Sequence, residues 1–378
     1  MPNKNIRYKN KNFKKVKIKE IQNYLESFSP INYQETYDNS GLIIGNTESE
    51  ITNVLICLDC TEEIIEEAIQ KKCNLIISHH PIIFSGIKKL NGKNYIERTV
   101  IKAIENKIAI YAIHTNFDNY NFGVNYEIAN RLGIKNTNVL LPKKNLNKLV
   151  IYTPIESVQK VNKSLFEIGV GEIGNYSKCS FNTEGVGTFQ PNDKANPTVG
   201  SANQLEKVKE IRSEYIIPEH LISKALNTLK IIHPYEEVAY DIIPLKNNNQ
   251  TIGSGMVGEL EEEMNTVEFL QLVKEKFNCG IIRHTNIVKD KIKKIAFCGG
   301  AGSFLLPQAK SFKADIFITG DYKYHDFFDA EDEILIADIG HFESEQYTTN
   351  LLADILTKKF PTFAFYKTEL ITNPINYF

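Results

Sequence analysis

The sequence predicts an α/β protein in which two similar α/β lobes form one core, with a ferredoxin-like α+β domain inserted between them. Three observations support this fold class. Short apolar segments alternate with segments of helical periodicity near both ends of the chain. In the middle of the chain the predicted strands and helices follow a different order. Polar motifs rich in histidine and acidic residues follow apolar segments on both sides of that middle part.

The first lobe begins with a helix, because apolar residues recur at helical spacing from Ile18 to Phe28. Alternating strands and helices then follow, and Thr61 can cap the first of those helices. The predicted strands are Val54–Leu58, Asn74–Ser78 and Ile108–Ile113, and a further helix is predicted near Ile96–Asn106.

The predicted insert covers residues 146–246. Its strands and helices follow a βαβ–βαβ order, which is typical of a ferredoxin-like unit. The clearest elements are a strand at Leu149–Tyr152, helices at Val158–Ile168 and Pro218–Leu229, and a strand at Val238–Ile243. Because the polar motifs lie on both sides of this segment, we interpret it as an insertion into a core formed by residues 18–145 and 247–378.

The second lobe repeats the strand and helix order of the first. Strands are predicted at Ile295–Cys298, Asp315–Thr319 and Ile334–Ala337. A glycine-rich turn at Gly299–Ser303 leads from the first of these into a helix. It can bind an anion at the helix start or serve only as a tight turn, since it has no phosphate-loop lysine.

The composition argues against several classes of function. The 378 residues include 44 lysines and arginines against 46 acidic residues, so the body of the protein has no net attraction for nucleic acid. We interpret residues 1–17, which are basic, as a solvated tail. No apolar run is long enough for a membrane helix, and six cysteines are too few for a secreted disulfide scaffold. These features favour a cytoplasmic protein.

Three motifs carry the chemistry. His79 and His80 end an apolar run, and Pro81 should break the strand there so that both imidazoles serve one site. His114 and Asp118 follow another predicted strand, and the segment after the last strand contains His341 and Glu345. In open α/β sheets ligands bind at this strand edge.

Together the motifs predict a dinuclear metal site. The expected ligands are His79, His80, Asp118, His341 and Glu345. Glu343 is a rival to Glu345, but four-residue spacing from His341 favours Glu345. His114 can be a ligand or can orient Asp118. Imidazole with carboxylate suits two divalent transition-metal ions, such as Zn, Fe, Mn, Co or Ni, without selecting among them.

Two such ions would support hydrolysis by activated water. Asp321, Tyr324 and His325 follow a predicted strand and are candidate acid/base or orienting groups, although Asp321 can also simply cap a turn. A metallophosphoesterase is an alternative function, but this sequence lacks the motifs that position the two metal ions in that class of enzyme. The second alternative is a non-catalytic scaffold with a regulatory or metal-sensing role.

At these residues the chain resembles the dinuclear-metal-centre family of GTP cyclohydrolase 1 type 2 homologues, also called the NGG-one-interacting-factor-like proteins. The matching segments occur in the family's order: Asp38–Leu42, Ser78–Pro81, His114–Asp118, Gly320-Asp321 with Tyr324-His325, and Gly340-His341 with Ser344-Glu345. The family's ligands fall on the five residues named above. Tyr37 stands where the family usually has Trp.

The insert is similar to that of the long-form members, whose inserted domain resembles trimer-forming copper-tolerance and nitrogen-regulatory proteins. Its matching segments are Gly187–Phe189 and His233–Glu237. This resemblance implies a homohexamer, a trimer of dimers, with metal sites facing an inner cavity. The name of the family, in turn, implies a small-molecule or nucleotide substrate and opening of the guanine imidazole ring of GTP by metal-activated water.

Overall fold

The computed structural model describes residues 15–378, so the expected basic tail lies outside the described residues apart from its last three. The chain divides into two compact units. One comprises the chain up to Leu141 together with Gly253–Phe378, and the other is Pro142–Ile252. The sequence predicts the insert over 146–246, and the second unit extends a few residues beyond these bounds at both ends.

The first lobe of the larger unit contains the expected alternation. Its elements are helix α1 (Ile18–Phe28), a 3-10 turn (Ile31–Tyr33), β1 (Gly41–Ile44), β2 (Val54–Cys57), α2 (Glu62–Gln70), β3 (Leu75–Ser78), α3 (Tyr95–Glu105), β4 (Ala109–Ala112), α4 (Thr115–Asp118) and α5 (Val124–Leu132). Strands β2, β3 and β4 are parallel neighbours, and β1 pairs antiparallel with β4. All twelve positions of the three parallel strands are buried, which explains their continuous apolar character.

Strand β5 (Lys135–Lys143) leads into the second unit, which is a four-stranded antiparallel sheet with helices. Its elements are β6 (Leu146–Pro154), a 3-10 turn (Ile155–Ser157), α6 (Val158–Glu167), β7 (Phe181–Phe189), β8 (Glu206–Pro218), a 3-10 turn (Glu219–Leu221), α7 (Ile222–Ile232) and β9 (Tyr240–Pro244). The strand order β7-β8-β6-β9 is that of a ferredoxin-like βαββαβ unit.

The second lobe follows. Its elements are β10 (Asn249–Asn265), α8 (Thr266–Lys276), β11 (Arg283–His284), β12 (Lys291–Ala301), a 3-10 turn (Ser303–Leu305), α9 (Leu306–Ser311), β13 (Ile316–Gly320), a 3-10 helix (Tyr324–Ala330), β14 (Leu335–Asp338), α10 (His341–Glu345), α11 (Thr348–Lys359) and β15 (Phe365–Lys367). Strands β12, β13 and β14 are parallel neighbours, and the sheet order is β11-β14-β13-β12-β10-β5.

The two lobes share one apolar core. A single cluster of buried side chains includes Ile56 and Ile77 from the first sheet and Phe297 and Ile318 from the second. The last strand, β15, returns to the first sheet and pairs parallel with β2. The prediction of two similar α/β lobes with an inserted ferredoxin-like domain is therefore confirmed. Within residues 15–378, no helix combines the length and apolar character needed to cross a bilayer.

One local prediction differs from the structure. Strand β12 continues through the expected glycine turn as far as Ala301, because Gly300 takes a positive φ of 63° and the pairing with β13 shifts there without ending the strand. His341 and Glu345 are the first and last residues of the short α10, which precedes α11.

Candidate metal centre

Histidines and an aspartate follow the parallel strands of both sheets, at the edge where those strands end. His79 and His80 come directly after β3, and His114 comes shortly after β4. In the second lobe Asp321 follows β13, and His341 begins α10 after β14. Because the carboxyl ends of parallel strands meet at one edge of a sheet, these side chains converge.

One carboxylate oxygen lies at the centre of these converging side chains. Oε2 of Glu345 is 3.0 Å from Nε2 of His80 and 3.1 Å from Nε2 of His341. It is also 3.8 Å from Nε2 of His79, and the Glu345 side chain is only 2% exposed. A carboxylate from the second lobe therefore faces imidazoles from both lobes.

A second pair of buried atoms lies beside Glu345 with nothing to satisfy them. Nε2 of His79 and Oδ1 of Asp118 are 3.4 Å apart, and neither finds a hydrogen-bond partner among the described residues. Leaving such buried polar atoms unpaired is costly. Since an ion binds nitrogen and oxygen ligands at about 2.0–2.2 Å, two atoms at this separation can both reach one cation. This observation shows that the residues fit a metal ion.

The other ring nitrogen of each imidazole is already bonded. In three histidines Nδ1 faces an oxygen acceptor, which leaves Nε2 directed at the centre: His79 to the Ile113 carbonyl at 2.8 Å, His80 to Asp59 at 2.7 Å, and His341 to Asp321 at 2.7 Å. Oxygen acceptors behind metal-binding histidines fix the tautomer and raise the basicity of the free nitrogen. The arrangement is therefore prepared for coordination through Nε2.

The described residues contain three groups that could hold a metal ion, each with ligand atoms within 4.8 Å of one another. They are His79 with Asp118 and Glu345, His80 with His341 and Glu345, and His79 with His80 and His114. Glu345 belongs to two of the groups. The five residues predicted as ligands from the sequence are thus all brought together, and His114 lies beside them.

His114 is held by a residue that the motif analysis did not single out for chemistry. Its Nδ1 lies 2.7 Å from Oδ1 of Asp38, and the other oxygen of Asp38 accepts hydrogen bonds from the backbone N–H and the hydroxyl of Thr115. Asp38 therefore orients His114 in the same way that Asp59 orients His80. The only available sequence signal was the position of Asp38 in the matching segment Asp38–Leu42.

Glu343, the rival to Glu345, points elsewhere. Its carboxylate accepts hydrogen bonds from Asn373 at 3.2 Å and from Tyr377 at 3.5 Å. It is absent from the three groups of potential ligands found among the described residues. Four-residue spacing across α10 places His341 and Glu345 together, as the prediction of Glu345 requires.

The charges in the site depend strongly on one another. Burial opposes ionisation of Glu345, yet the facing imidazoles hold its pKa well below the ordinary value. Burial, together with the charge on Glu345, raises the pKa of Asp118 to about 8. Glu345 and Asp321 raise the pKa of His341 to about 11 against the effect of burial. Without a cation, protons on imidazoles compensate the buried carboxylate, so metal binding must release protons.

A glycine provides the space for Glu345. A Cβ on Gly300 would lie 2.4 Å from Oε1 of Glu345, and the backbone N–H of Gly300 donates to Ser344 Oγ at 2.9 Å. Because Gly300 also has a positive φ, this strand end both turns and approaches α10 closely. The sequence allowed this glycine-rich segment to be either an anion site or a tight turn. In the structure it provides space for the carboxylate of Glu345.

The three predicted catalytic residues are placed differently. Asp321 lies in the site and accepts the Nδ1–H of His341. Tyr324 and His325 lie in the 3-10 helix that follows, where their rings contact each other and Phe328. The Tyr324 side chain is 72% exposed and lines a separate shallow hollow beside Arg283. The structure does not bring these two residues to the imidazoles.

The convergence opens into a cavity of about 720 Å³, here called the central cavity. His80, His114, Asp118, His341 and Glu345 form its inner wall. Aromatic side chains form much of the remainder: Tyr37, Phe84, Tyr95, Phe304 and Phe342. A concave site with a few convergent polar groups and an apolar surround is typical of small-molecule binding.

Comparisons with known proteins place the chain in a family. The chain matches the family model described as Duf34/NIF3 (NGG1p interacting factor 3) over residues 16–374. A Bacillus subtilis protein named GTP cyclohydrolase 1 type 2 homolog is 38% identical over 371 residues, covering 96% of this chain and 99% of that protein.

Solved structures give the same result. The crystal structure of a Bacillus cereus protein related to NIF3 is similar with a TM-score of 0.82 at 38% identity, covering 97% of this chain and 100% of that chain. A Staphylococcus aureus protein matches with a TM-score of 0.75 at 31% identity, covering 97% and 100% respectively. The chain therefore belongs to the Duf34/NIF3 family.

Proposed function

We propose that this protein is a metal-dependent hydrolase that holds two divalent transition-metal ions and opens a heterocyclic ring, with GTP as the named candidate substrate. Two lines support the proposal. The potential ligands form two groups that share Glu345. Relatives that match nearly the whole chain have names that refer to GTP cyclohydrolase 1 type 2.

The observation that carries the proposal is the unsatisfied pair formed by His79 Nε2 and Asp118 Oδ1. In the proposed site these two atoms and Glu345 would hold one ion, and His80, His341 and Glu345 would hold the other. Asp59 and Asp321 keep the His80 and His341 rings in the tautomer that leaves Nε2 free.

When bound, two such ions would supply Lewis acidity and a water nucleophile of lowered pKa. The residues of the chain have supporting tasks. Asp321 can hold the proton on Nδ1 of His341, and aromatic side chains line the cavity around the potential ligands.

The role predicted for Tyr324 and His325 as proton shuttles stays a prediction, and their positions outside the central cavity do not support it. That role requires His325→Ala to slow turnover by about 10²–10⁴-fold with metal retained. An unchanged rate in the metal-loaded variant would remove His325 from the mechanism.

The test of the proposed function is a turnover assay of metal-reconstituted protein with GTP. Ring opening should give metal-dependent loss of the purine absorbance with release of formate. Release of phosphate with an intact purine would instead support the metallophosphoesterase. No turnover of any nucleotide or heterocycle, with both ion positions filled, would contradict the hydrolase and favour the regulatory scaffold.

We propose further that the chain assembles as a homohexamer. Family resemblance supports this, and so do apolar side chains on both edge strands of the second unit. Phe181 and Val186 are exposed on β7, and Tyr240 and Ile243 on β9. Edge strands with exposed apolar residues are prone to pair with another chain. Light scattering should give a mass near six times 43.1 kDa, whereas a monomer in solution would refute the assembly.

A further inference from the structure

The charge of the central cavity limits what it can bind. None of the described residues that line it is lysine or arginine. Five carboxylates line it: Glu35, Asp59, Asp118, Asp321 and Glu345. The charges of two divalent ions would already be matched by these groups. A polyphosphate would thus bring further negative charge to a cavity whose described lining residues include no lysine or arginine to receive it.

Sites that bind or transfer phosphoryl groups normally add arginine or lysine to their metal ions, because the ions alone do not neutralise all the phosphate oxygens. The central cavity offers neutral polar groups instead, such as Ser254 and Asn373. Its chemistry is therefore suited to a ligand with little or no charge.

The walls of the cavity indicate the shape of that ligand. The rings of Tyr37 and Phe84 are stacked, with centroids 6.2 Å apart and planes at 24°. Phe84 in turn meets the edge of His114 at 5.7 Å. The three rings form a continuous aromatic surface from the rim to the imidazoles.

The outer part of this surface is open. Tyr37 is 62% exposed and Phe84 is 46% exposed, although both are large apolar rings. Exposed aromatic rings beside a cavity favour stacking with a planar ring, and such stacking tolerates many heterocycles. A flat ring lying against Tyr37 and Phe84 would have one edge directed toward His114 and the potential metal ligands.

We infer that the central cavity takes an uncharged planar nitrogen heterocycle, a nucleobase or nucleoside without phosphate, and that Tyr37 and Phe84 receive its ring. This inference rests on the proposed function and narrows it, because it disfavours a nucleoside triphosphate as the substrate. Tyr37 and Phe84 are binding residues in this account, and the chemistry remains with the groups around Glu345.

The test compares 2-aminopurine riboside with its 5′-triphosphate, which share one fluorescent base and differ only in phosphate. The chain contains no tryptophan, so the emission of the probe can be followed without interference. For the metal-loaded full chain we expect the riboside to bind at least about tenfold more tightly than the triphosphate. Equal or tighter binding of the triphosphate would overturn the inference.

Variants test the aromatic surface separately. Tyr37→Ala and Phe84→Ala should each weaken riboside binding by about 5–150-fold, the range expected for losing one stacking partner, with metal content unchanged. Tyr37→Phe keeps the ring and should bind normally, as should Tyr176→Ala, which removes an exposed tyrosine of the second unit. Unchanged binding in both alanine variants of the surface would refute the assignment.

Turnover separates this inference from the proposed function. Faster turnover of guanosine than of GTP would support both. Turnover of GTP alone would overturn the inference and leave the hydrolase intact. Tight riboside binding that depends on Tyr37 and Phe84, without turnover of any heterocycle, would support the binding assignment and contradict the hydrolase.

Discussion

At the scale of single residues, Glu345 connects the site. Its Oε2 faces His80 and His341 at hydrogen-bond distance, and His79 lies just beyond. A buried carboxylate among several imidazoles can be compensated by protons or by metal ions. Because ions would replace those protons, removing Glu345 should affect every ion that it touches.

The first prediction concerns metal content. Protein purified without chelator should contain close to two equivalents of divalent transition metal per chain, measured by elemental analysis. His80→Ala or Glu345→Ala should lower this value, since each removes a ligand and leaves its neighbours unpaired. His284→Ala is the control, because this exposed histidine does not line the central cavity. Full metal content in both site variants would rule out the assignment.

The sequence predicted the five potential ligands and offered Asp321 as an orienting group, but it did not show which acidic residue bonds which imidazole. The ligands follow apolar strand segments, and this pattern is visible without coordinates. Asp38 meets His114 across 76 positions of the chain, and Asp59 meets His80 across 21. Such pairs depend on how the loops return over the strand ends, which local periodicity does not specify.

At the scale of elements, the end of β12 determines where α10 can lie. Gly300 has no side chain, and a Cβ at this position would displace Oε1 of Glu345. The sequence predicted a turn at this position, because consecutive glycines usually end a strand. It could not show that the strand continues and that the missing side chains serve close packing against another helix.

A glycine substitution tests this packing. Gly300→Ala should move Glu345 and lower metal content while the protein remains folded, because the new Cβ would lie 2.4 Å from Oε1 of Glu345. Gly133→Ala is a matched control: Gly133 also has a positive φ, of 69°, but a Cβ there meets nothing within 4 Å. Both variants lose about 1 kcal/mol or more to backbone strain. Equal metal content in the two would show that Gly300 does not position Glu345.

A second prediction at this scale concerns the C-terminal strand. Glu67 of α2 accepts hydrogen bonds from Lys71, from the Thr368 hydroxyl and from the backbone N–H of Glu369, just after β15. Burial opposes ionisation, but these donors lower the pKa of Glu67 below its ordinary value of 4.5. A lowered pKa in the folded state stabilises the protein above the unfolded pKa, and this gain is lost as pH falls through the folded pKa.

Glu67→Gln should therefore lower the free energy of unfolding by about 1–3 kcal/mol at neutral pH. The difference from the parent protein should shrink in acid, where Glu67 is protonated in both states. Urea unfolding over a pH series measures this. Glu66→Gln on the same helix is the control, since its exposed pair with Lys102 should contribute at most about 1 kcal/mol. A constant difference at all pH values would contradict the assignment to ionised Glu67.

At the scale of the whole molecule, the chain leaves the larger unit and returns to it at neighbouring positions. Within the second unit, the backbone N–H of Leu245 donates to the Leu146 carbonyl at 3.0 Å, so the two ends of the insert are adjacent. The strands that lead in and out, β5 and β10, are neighbours in one sheet. A change in the order of predicted strands and helices along the sequence indicated the insertion. Its limits could not be predicted closely from the sequence, because β5 and β10 continue across them.

Removing the second unit tests its independence from the site. Replacing Pro142–Ile252 with a short Gly/Ser linker should leave a folded protein that retains metal, because all five potential ligands and their bonded partners lie in the larger unit. Circular dichroism and elemental analysis measure the two properties. A folded deletion variant without metal would show that the insert is needed to build the site.

The same division of the chain has a consequence for biosynthesis. His79, His80 and Asp118 leave the ribosome well before His341 and Glu345, because the entire second unit is translated in between. A nascent chain thus carries an incomplete ligand set through most of its translation. Glu345, which belongs to two of the three potential ligand groups, is translated only after the second unit, so those two groups cannot form before it.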